Sequence, residues 1–359
     1  MVRRTYAYVR GTTGDHTIVY PDIGCSCAGY SAHGHCKHFS AVVSGDFECL
    51  KVISVSEIDA WMEKEVRRLS SSLAAITSVV GGEPYVGDMI TSIYGLPMAG
   101  KTLLMLQEAA FLEAQGVKVL FIDTEGSLYS MARSWLPKLR KRFGSQGSGI
   151  YVVSKHTFEE LMHMLGMRVR FVTKGEGDTT KVEFNIVEVL PDSQVGQFVR
   201  ERGVGAVILD SVTAPLRVIP SGQQNFPARA DATSALMSRL LLIQDRHGVP
   251  IITTHHASLN PANPYQTLAD MRGGVAVYHY SKLIIYVDYR EAKEVRRFRR
   301  FWLVRAPNAE EFSRVGIAEI TDEGYVDSQV DPSSVLTQSE LKRVAGEQEQ
   351  QQSAIKRRK

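Results

Sequence analysis

Apolar and polar positions alternate near the start of the chain and gather into short blocks further on. Tyr6-Ala7-Tyr8-Val9-Arg10 and Thr17-Ile18-Val19-Tyr20 flank a turn carrying Gly11, Gly14 and Asp15, which predicts a β-hairpin. Ser56 stands before Ile58, Trp61, Met62, Val66 and Leu69 at helical spacing, so a connecting helix is expected over 56–72. Gly81-Gly82-Glu83-Pro84 interrupts the pattern and marks entry to a larger domain. The run from Met89 to Tyr94 reads as a buried strand, and Leu103 to Glu113 continues as a helix. Val117 to Ile122 is almost continuously apolar, as in a strand covered on both faces. Gly205–Leu209 and Val249–Thr254 read as further strands. Val169–Val172 and Val182–Val187 alternate about Gly175-Glu176-Gly177-Asp178, which predicts an inserted β-hairpin at about 167–190.

The strand ending at Tyr94 runs into Gly95-Leu96-Pro97-Met98-Ala99-Gly100-Lys101-Thr102, and a helix leaves it. This is G-x-x-x-x-G-K-[ST], the phosphate-binding P-loop, in the strand–loop–helix context it requires. Backbone N–H groups of such a loop converge on phosphate oxygens, and the helix dipole adds positive potential there. ATP with Mg²⁺ is the expected ligand: Lys101 reaches the β and γ phosphates and the Thr102 hydroxyl holds the metal. Two later strands end in carboxylates. Phe121-Ile122-Asp123-Thr124-Glu125-Gly126 places Glu125 either to accept a proton from an attacking water or to cap the next helix. Ile208-Leu209-Asp210 is a Walker B pattern, with Asp210 acting on Mg²⁺ through water.

Taken in order, Gly95–Thr102, Phe121–Gly126 and Ile208-Leu209-Asp210-Ser211-Val212-Thr213-Ala214-Pro215-Leu216-Arg217 resemble the RecA/RadA recombinase ATPase core. Phe226-Pro227-Ala228-Arg229-Ala230-Asp231-Ala232, Arg272-Gly273-Gly274 and Arg305-Ala306-Pro307 are similar to the archaeal RadA side of that family. The resemblance covers about residues 82–328. It implies an α/β fold with a mostly parallel central sheet, extended antiparallel by C-terminal strands such as Leu283–Val287 and Phe301–Val304. It implies ATP hydrolysis with Glu125 as catalytic base, and DNA, single-stranded above all, as partner.

Two stretches, Arg217–Arg229 and Leu259–Tyr278, are DNA-facing loops by this resemblance. Arg217, Arg229 and Arg272 are the candidate phosphate contacts and Tyr265 a candidate for base stacking. The basic, aromatic run from Arg290 to Trp302 either tracks a nucleic-acid backbone or forms a hairpin with one solvated face. The family usually carries a γ-phosphate-sensing amide where this chain has His255-His256. It also carries a Phe-x-x-Ala polymerisation element, which the 56–80 linker does not clearly contain. These departures suit an accessory paralog that self-associates or joins a recombinase. They also leave open a mediator in which ATP is a slow switch.

Near the N-terminus, Cys25-Ser26-Cys27 is followed after eight residues by Cys36-Lys37-His38. Three thiolates and an imidazole suit a tetrahedral Zn²⁺, with His33 and His35 as competing ligands and Cys49 as a free thiol. The C-x-C…C-x-H spacing resembles the SWIM zinc module. The expected organisation is a zinc module at 1–55, a helical linker at 56–80, a RecA-like ATPase domain at 81–330 and a flexible tail at 331–359. Composition adds little: 359 residues, 44% hydrophobic and 23% charged, net charge +3, are ordinary for a globular protein. No apolar run has membrane-spanning length and no secretory leader is expected, which points to a cytoplasmic, reducing compartment.

Overall fold

The structure is a computed structural model that describes residues 7–10, 16–20, 24–25, 66–175, 180–220, 222–258, 270–271, 274–290, 295–307, 314–338, 340–341 and 344. The chain divides into two compact units, Met1–Glu65 and Val66–Lys359. In the first unit β1 (Ala7–Arg10) pairs antiparallel with β2 (His16–Tyr20), the expected hairpin, and β2 pairs with β3 (Gly24–Cys25). Cys25 ends that strand. Cys27, Cys36 and His38 lie outside the described residues.

The second unit opens differently from the expectation of a helix through Leu69. Arg68–Leu69 is a short strand, β4, paired with β5 (Tyr85–Val86). The helix, α1, runs instead over Ala74–Val80 and buries Ile76 and Val79. The reason is tertiary. The α1 N-terminus has no side-chain cap of its own, and the Asp327 carboxylate accepts from Ala74 N at 2.9 Å and Ala75 N at 2.8 Å. Residues 66–80, expected within a linker, therefore pack into the larger unit.

The sheet is built around β6 (Ile90–Gly95), in which every residue is buried. The other parallel strands, in chain order, are β7 (Val119–Asp123), β8 (Ile150–Ser154), β11 (Ala206–Asp210), β12 (Ile251–Ser258) and β14 (Ser281–Asp288), and β15 (Phe298–Arg305), β16 (Val315–Thr321) and β17 (Gly324–Asp327) complete the sheet. The order is β17-β16-β15-β14-β6-β12-β11-β7-β8, with the two-residue β13 (Asp270–Met271) pairing β12. From β14 to β8 all neighbours are parallel, and β15, β16 and β17 are antiparallel. Leu283–Val287, expected to extend the sheet antiparallel, thus lies in a parallel strand beside β6. The apolar runs are long and uninterrupted because helices cover both faces. One apolar core carries Leu104, Phe121, Ile208 and Phe301, and the other Ile122, Leu209, Leu236 and Trp302.

The covering helices include α2 (Lys101–Ala114), α3 (Leu128–Phe143), α4 (Phe158–Met164), α5 (Gln194–Arg202), α6 (Phe226–His247) and α7 (Gly274–Tyr280). The inserted hairpin is present, with β9 (Met167–Lys174) antiparallel to β10 (Lys181–Val189). The described parts of the two expected loops hold regular structure. Arg217–Arg229 holds short 3-10 turns at Pro215–Val218 and Gln223–Asn225 and runs into α6, while Leu259–Tyr278 ends within α7. Buried Asn225 explains the first: its Oδ1 accepts from Val182 N at 2.8 Å, which ties the turn to the hairpin. The start of the expected tail is also packed. Val335 and Leu336 are buried, following a short helix α8 (Pro332–Val335). Among the described residues no helix is long and apolar enough to cross a membrane.

Candidate phosphate-binding site

Four segments meet at the carboxyl edge of the parallel strands. The first is the loop between β6 and α2. Gly95 must be glycine there, because a Cβ would collide with the Val287 carbonyl of β14. Gly100 sits at φ +91°, a left-handed conformation that favours glycine, and starts α2 with no capping side chain. The first turn of α2 contains no acidic residue, so its N–H groups and dipole face the cleft uncompensated. Lys101 folds back over the loop, donating to the carbonyls of Gly95 (2.9 Å) and Leu96 (3.0 Å). Burial lowers the pKa of its ammonium, against the opposing pull of Asp210 and Glu125.

The loop is braced from the antiparallel side of the sheet. Arg299 Nε donates to the Ala99 carbonyl at 2.9 Å, and the Tyr325 hydroxyl donates to the same oxygen at 3.0 Å. Both side chains are buried. Arg300, next along β15, turns to Asp288 (2.7 Å to each oxygen) and Glu340 (3.0 Å). The basic run is therefore not a nucleic-acid track along Arg299 and Arg300: these cations hold the P-loop and the C-terminal strands. Alternation in the sequence could have shown that one of the pair faces each side of the sheet, but not what it meets.

The second and third segments carry the carboxylates. Asp123, at the end of β7, accepts from the N–H groups of Glu125 and Gly126, each at 3.0 Å, and so shapes the turn that presents Glu125. The Thr124 hydroxyl donates to the Ser211 carbonyl at 2.6 Å, locking that turn to the end of β11. Glu125 is thus not a helix cap; Asp123 takes that part. Asp210 is buried and accepts hydrogen bonds from the hydroxyls of Thr254 and Thr102. Desolvation raises its pKa.

The fourth segment is the end of β12, where successive side chains point to opposite sides. His255 is fully buried, its Nε2 near Thr253 Oγ1 (2.9 Å) and Ser92 Oγ (3.1 Å), and burial lowers its pKa to about 3. His256 faces the cleft instead, with Nε2 2.6 Å from Glu125 Oε1. Ser211 Oγ donates to the same Glu125 oxygen at 2.8 Å. The hydrogen bond from His256 and then that from Ser211 hold the Glu125 carboxyl down at about 2, against the cost of burial. Lys101, Thr102, Glu125, Asp210, Arg217 and His256, with Pro97, Met98 and Met131, line a cleft of about 740 Å³.

The candidate DNA contacts fall in different places. Arg217 stands at the rim of this cleft, 3.8 Å from Glu125 Oε1. Arg229 lies in the first turns of α6, donates to the Ile219 carbonyl at 3.0 Å and sits over the Phe226 ring. Arg272 and Tyr265 lie outside the described residues. Among the described residues no group of three or more His, Cys, Asp or Glu side chains could hold a metal ion.

The fold and the loop define a RecA-like α/β protein with a P-loop at the carboxyl edge of its sheet. A crystal structure of a RadB recombinase superposes with a TM-score of 0.51 at 21% identity, covering 73% of this chain and 100% of that one. The DNA repair and recombination protein RadB of Methanosphaera stadtmanae is 24% identical over 216 residues, 60% of this chain and 78% of that protein. The DNA repair and recombination protein RadA of Metallosphaera sedula is 23% identical over 270 residues, 74% of each chain. No family model matches the sequence. These likenesses support a place in the RecA-like recombinase family at modest identity.

Proposed function

We propose that this chain is a DNA-dependent ATPase of the RadA type, an accessory paralog that binds single-stranded DNA in recombination and repair. The observation that carries the reading is the meeting of Lys101, Thr102, Asp210 and Glu125 in one cleft beside an uncapped helix N-terminus. The relatives' names, DNA repair and recombination proteins, point the same way.

The residues fit ATP with Mg²⁺: open N–H groups and a buried ammonium for phosphate, hydroxyl and carboxylate oxygens for the metal. Bound there, Mg²⁺ would supply charge neutralisation to the phosphates. Lys101 exchanges its two loop carbonyls for phosphate oxygens. The Thr102 hydroxyl would hold the metal, with Asp210 beside it as the acceptor for a water on that ion. Glu125 takes the proton of the attacking water. The N-terminal thiolates Cys25, Cys27 and Cys36 with His38 would hold a structural Zn²⁺, in a module that contacts DNA or a partner.

A second reading draws on the hold of His256 and Ser211 on Glu125, which makes that carboxylate a weak base. In it, ATP is a slow switch for assembly, and the zinc module recruits a recombinase. Steady-state ATP hydrolysis with and without single-stranded DNA decides between the two, using wild type, Lys101→Ala and Glu125→Gln. DNA-stimulated turnover lost in both variants supports the ATPase. Tight ATP binding, negligible turnover and a stable complex with a recombinase support the switch. Normal ATP hydrolysis by an intact Lys101→Ala variant would sink the ATPase reading, and fast DNA-stimulated turnover with no partner would count against the switch.

A further inference from the structure

Arg217 sits on the 3-10 turn Pro215–Val218, anchored by buried Pro215, Leu216 and Ile219. Anchoring of the apolar residues sends the guanidinium outward, and its side chain is 62% exposed. Even so, it makes two close approaches inside the cleft: Nη2 is 2.9 Å from His256 Nε2 and 3.8 Å from Glu125 Oε1. His256 Nε2 therefore faces a donor and an acceptor at once. A ring nitrogen carrying hydrogen donates to Glu125; a bare one accepts from Arg217. Nε2 can serve only one of the two, and the member with the freest path to solvent is the arginine. The other charged groups around Glu125 are Lys101 on α2 and Asp210 on β11, both buried.

We infer that Arg217 is shared between the cleft and single-stranded DNA: without DNA it restrains the Glu125–His256 pair, and a backbone phosphate that captures the guanidinium releases that pair. Arg217 is then a positioning residue that couples DNA occupancy to the base. The inference rests on the DNA and ATP reading above. A guanidinium presents five N–H donors, so a phosphodiester can engage it in bidentate fashion as it leaves the carboxylate. Coupling of this kind is reciprocal. Weakening the hold of the cleft on Arg217 must strengthen DNA binding, even with no nucleotide present.

The test is nucleotide-free binding of fluorescent oligothymidylate to the full chain, for wild type, Glu125→Gln, Arg217→Ala and the double variant. Glu125→Gln is expected to bind about fivefold tighter. Its salt dependence should steepen by about 0.7 in log–log slope, one added phosphate contact on a single strand. The gain should vanish in the Arg217→Ala background. A gain of equal size in that background, as from net charge alone, overturns the inference, and so does no gain at all. A second readout is ATP turnover without DNA, which Arg217→Ala should raise about fivefold while abolishing stimulation by DNA. A fall in that rate would mean that Arg217 serves hydrolysis directly, and overturns the inference. An ATP-only arm covers the other phosphate source: if ATP alone removes the Glu125→Gln gain, Arg217 answers to nucleotide instead and the inference fails. Should wild type hydrolyse no ATP, the ATPase reading falls while the binding cycle still decides the place of Arg217.

Discussion

Arg299 Nε donates to the carbonyl of Ala99 at 2.9 Å, from a position 200 residues further along the chain. The P-loop is thus shaped from outside as well as by its glycines. Loss of one buried charge-assisted hydrogen bond costs about 2 kcal/mol. Arg299→Ala is therefore expected to weaken ATP binding roughly tenfold or more, and Tyr325→Phe, a neutral bond, by roughly threefold. Titration with a fluorescent ATP analogue measures both; unchanged affinity in Arg299→Ala would show the brace to be idle.

Two buried groups impose opposite pH slopes on stability. Glu108 of α2 accepts from Ser71 Oγ (2.9 Å), Ser72 N (3.0 Å) and Ser72 Oγ (2.7 Å), yet burial raises its pKa from 4.5 to about 7. Its unfolded form loses the proton first, so its contribution is greatest at low pH and declines as pH rises from about 4.5 to 7, by about 3 kcal/mol. His255 runs the other way. Its pKa falls from 6.5 to about 3, so the unfolded state gains a proton first and stability drops as pH falls below 6.5. Thermal melts between pH 4.5 and 7 should therefore be flat for wild type, rise with pH for Glu108→Gln and fall with pH for His255→Gln. A flat Glu108→Gln profile would place the His255 imidazole at its ordinary pKa, and a flat His255→Gln profile would do the same for the Glu108 carboxyl.

The two adjacent histidines separate by readout. His256→Ala removes the largest influence holding Glu125 near 2, so the Glu125 carboxyl moves up towards its ordinary value and ATP turnover changes. His255→Ala empties a buried site behind the P-loop strand, so it lowers the melting temperature and leaves the acid limb of the rate profile in place. Equal shifts of that limb in both variants would contradict the division.

Arg300 and Asp288 form a buried, bidentate pair with both bonds at 2.7 Å. Removing Arg300 alone strands a buried carboxylate and is expected to cost about 3–5 kcal/mol. The Arg300→Ala, Asp288→Ala double variant should cost less than the sum. Urea denaturation of the four proteins measures the coupling; strict additivity would argue against a pair.

Asp327→Ala removes the only side-chain cap described for α1. Such caps contribute about 1 kcal/mol, and in a unit of this size the melting temperature should fall by about 2–4 °C. Asp327→Asn, which keeps the acceptor, should lose less. No change in either variant would mean that packing of Ile76 and Val79 alone sets the helix.

The P-loop, its strand and its helix were legible in the chain because their signals are local: spacing of glycines, one lysine, and a switch from an apolar block to helical period. The strands ending at Asp123 and Asp210 were legible for the same reason. The helix expected over 56–72 was misplaced in its described part because the element that starts α1, Asp327, is remote in sequence. Ser71 and Ser72, at the end of that expected helix, instead donate to Glu108. The loop at 217–229 looked unstructured because its composition is polar, yet Asn225 uses that polarity to bind the inserted hairpin.

Sequence alone determined the α/β class, the phosphate-binding loop and the carboxylates at the strand ends, since each depends on residues within a few positions of one another. Only the tertiary structure decided which of two carboxylates faces the cleft, which of two histidines touches it, and that Arg217 reaches into it. Those outcomes depend on how strands distant in sequence come into register, where a shift of one residue exchanges the two faces. The same is true of Arg299, whose charge reads as surface in the chain and is buried against Ala99 in the fold.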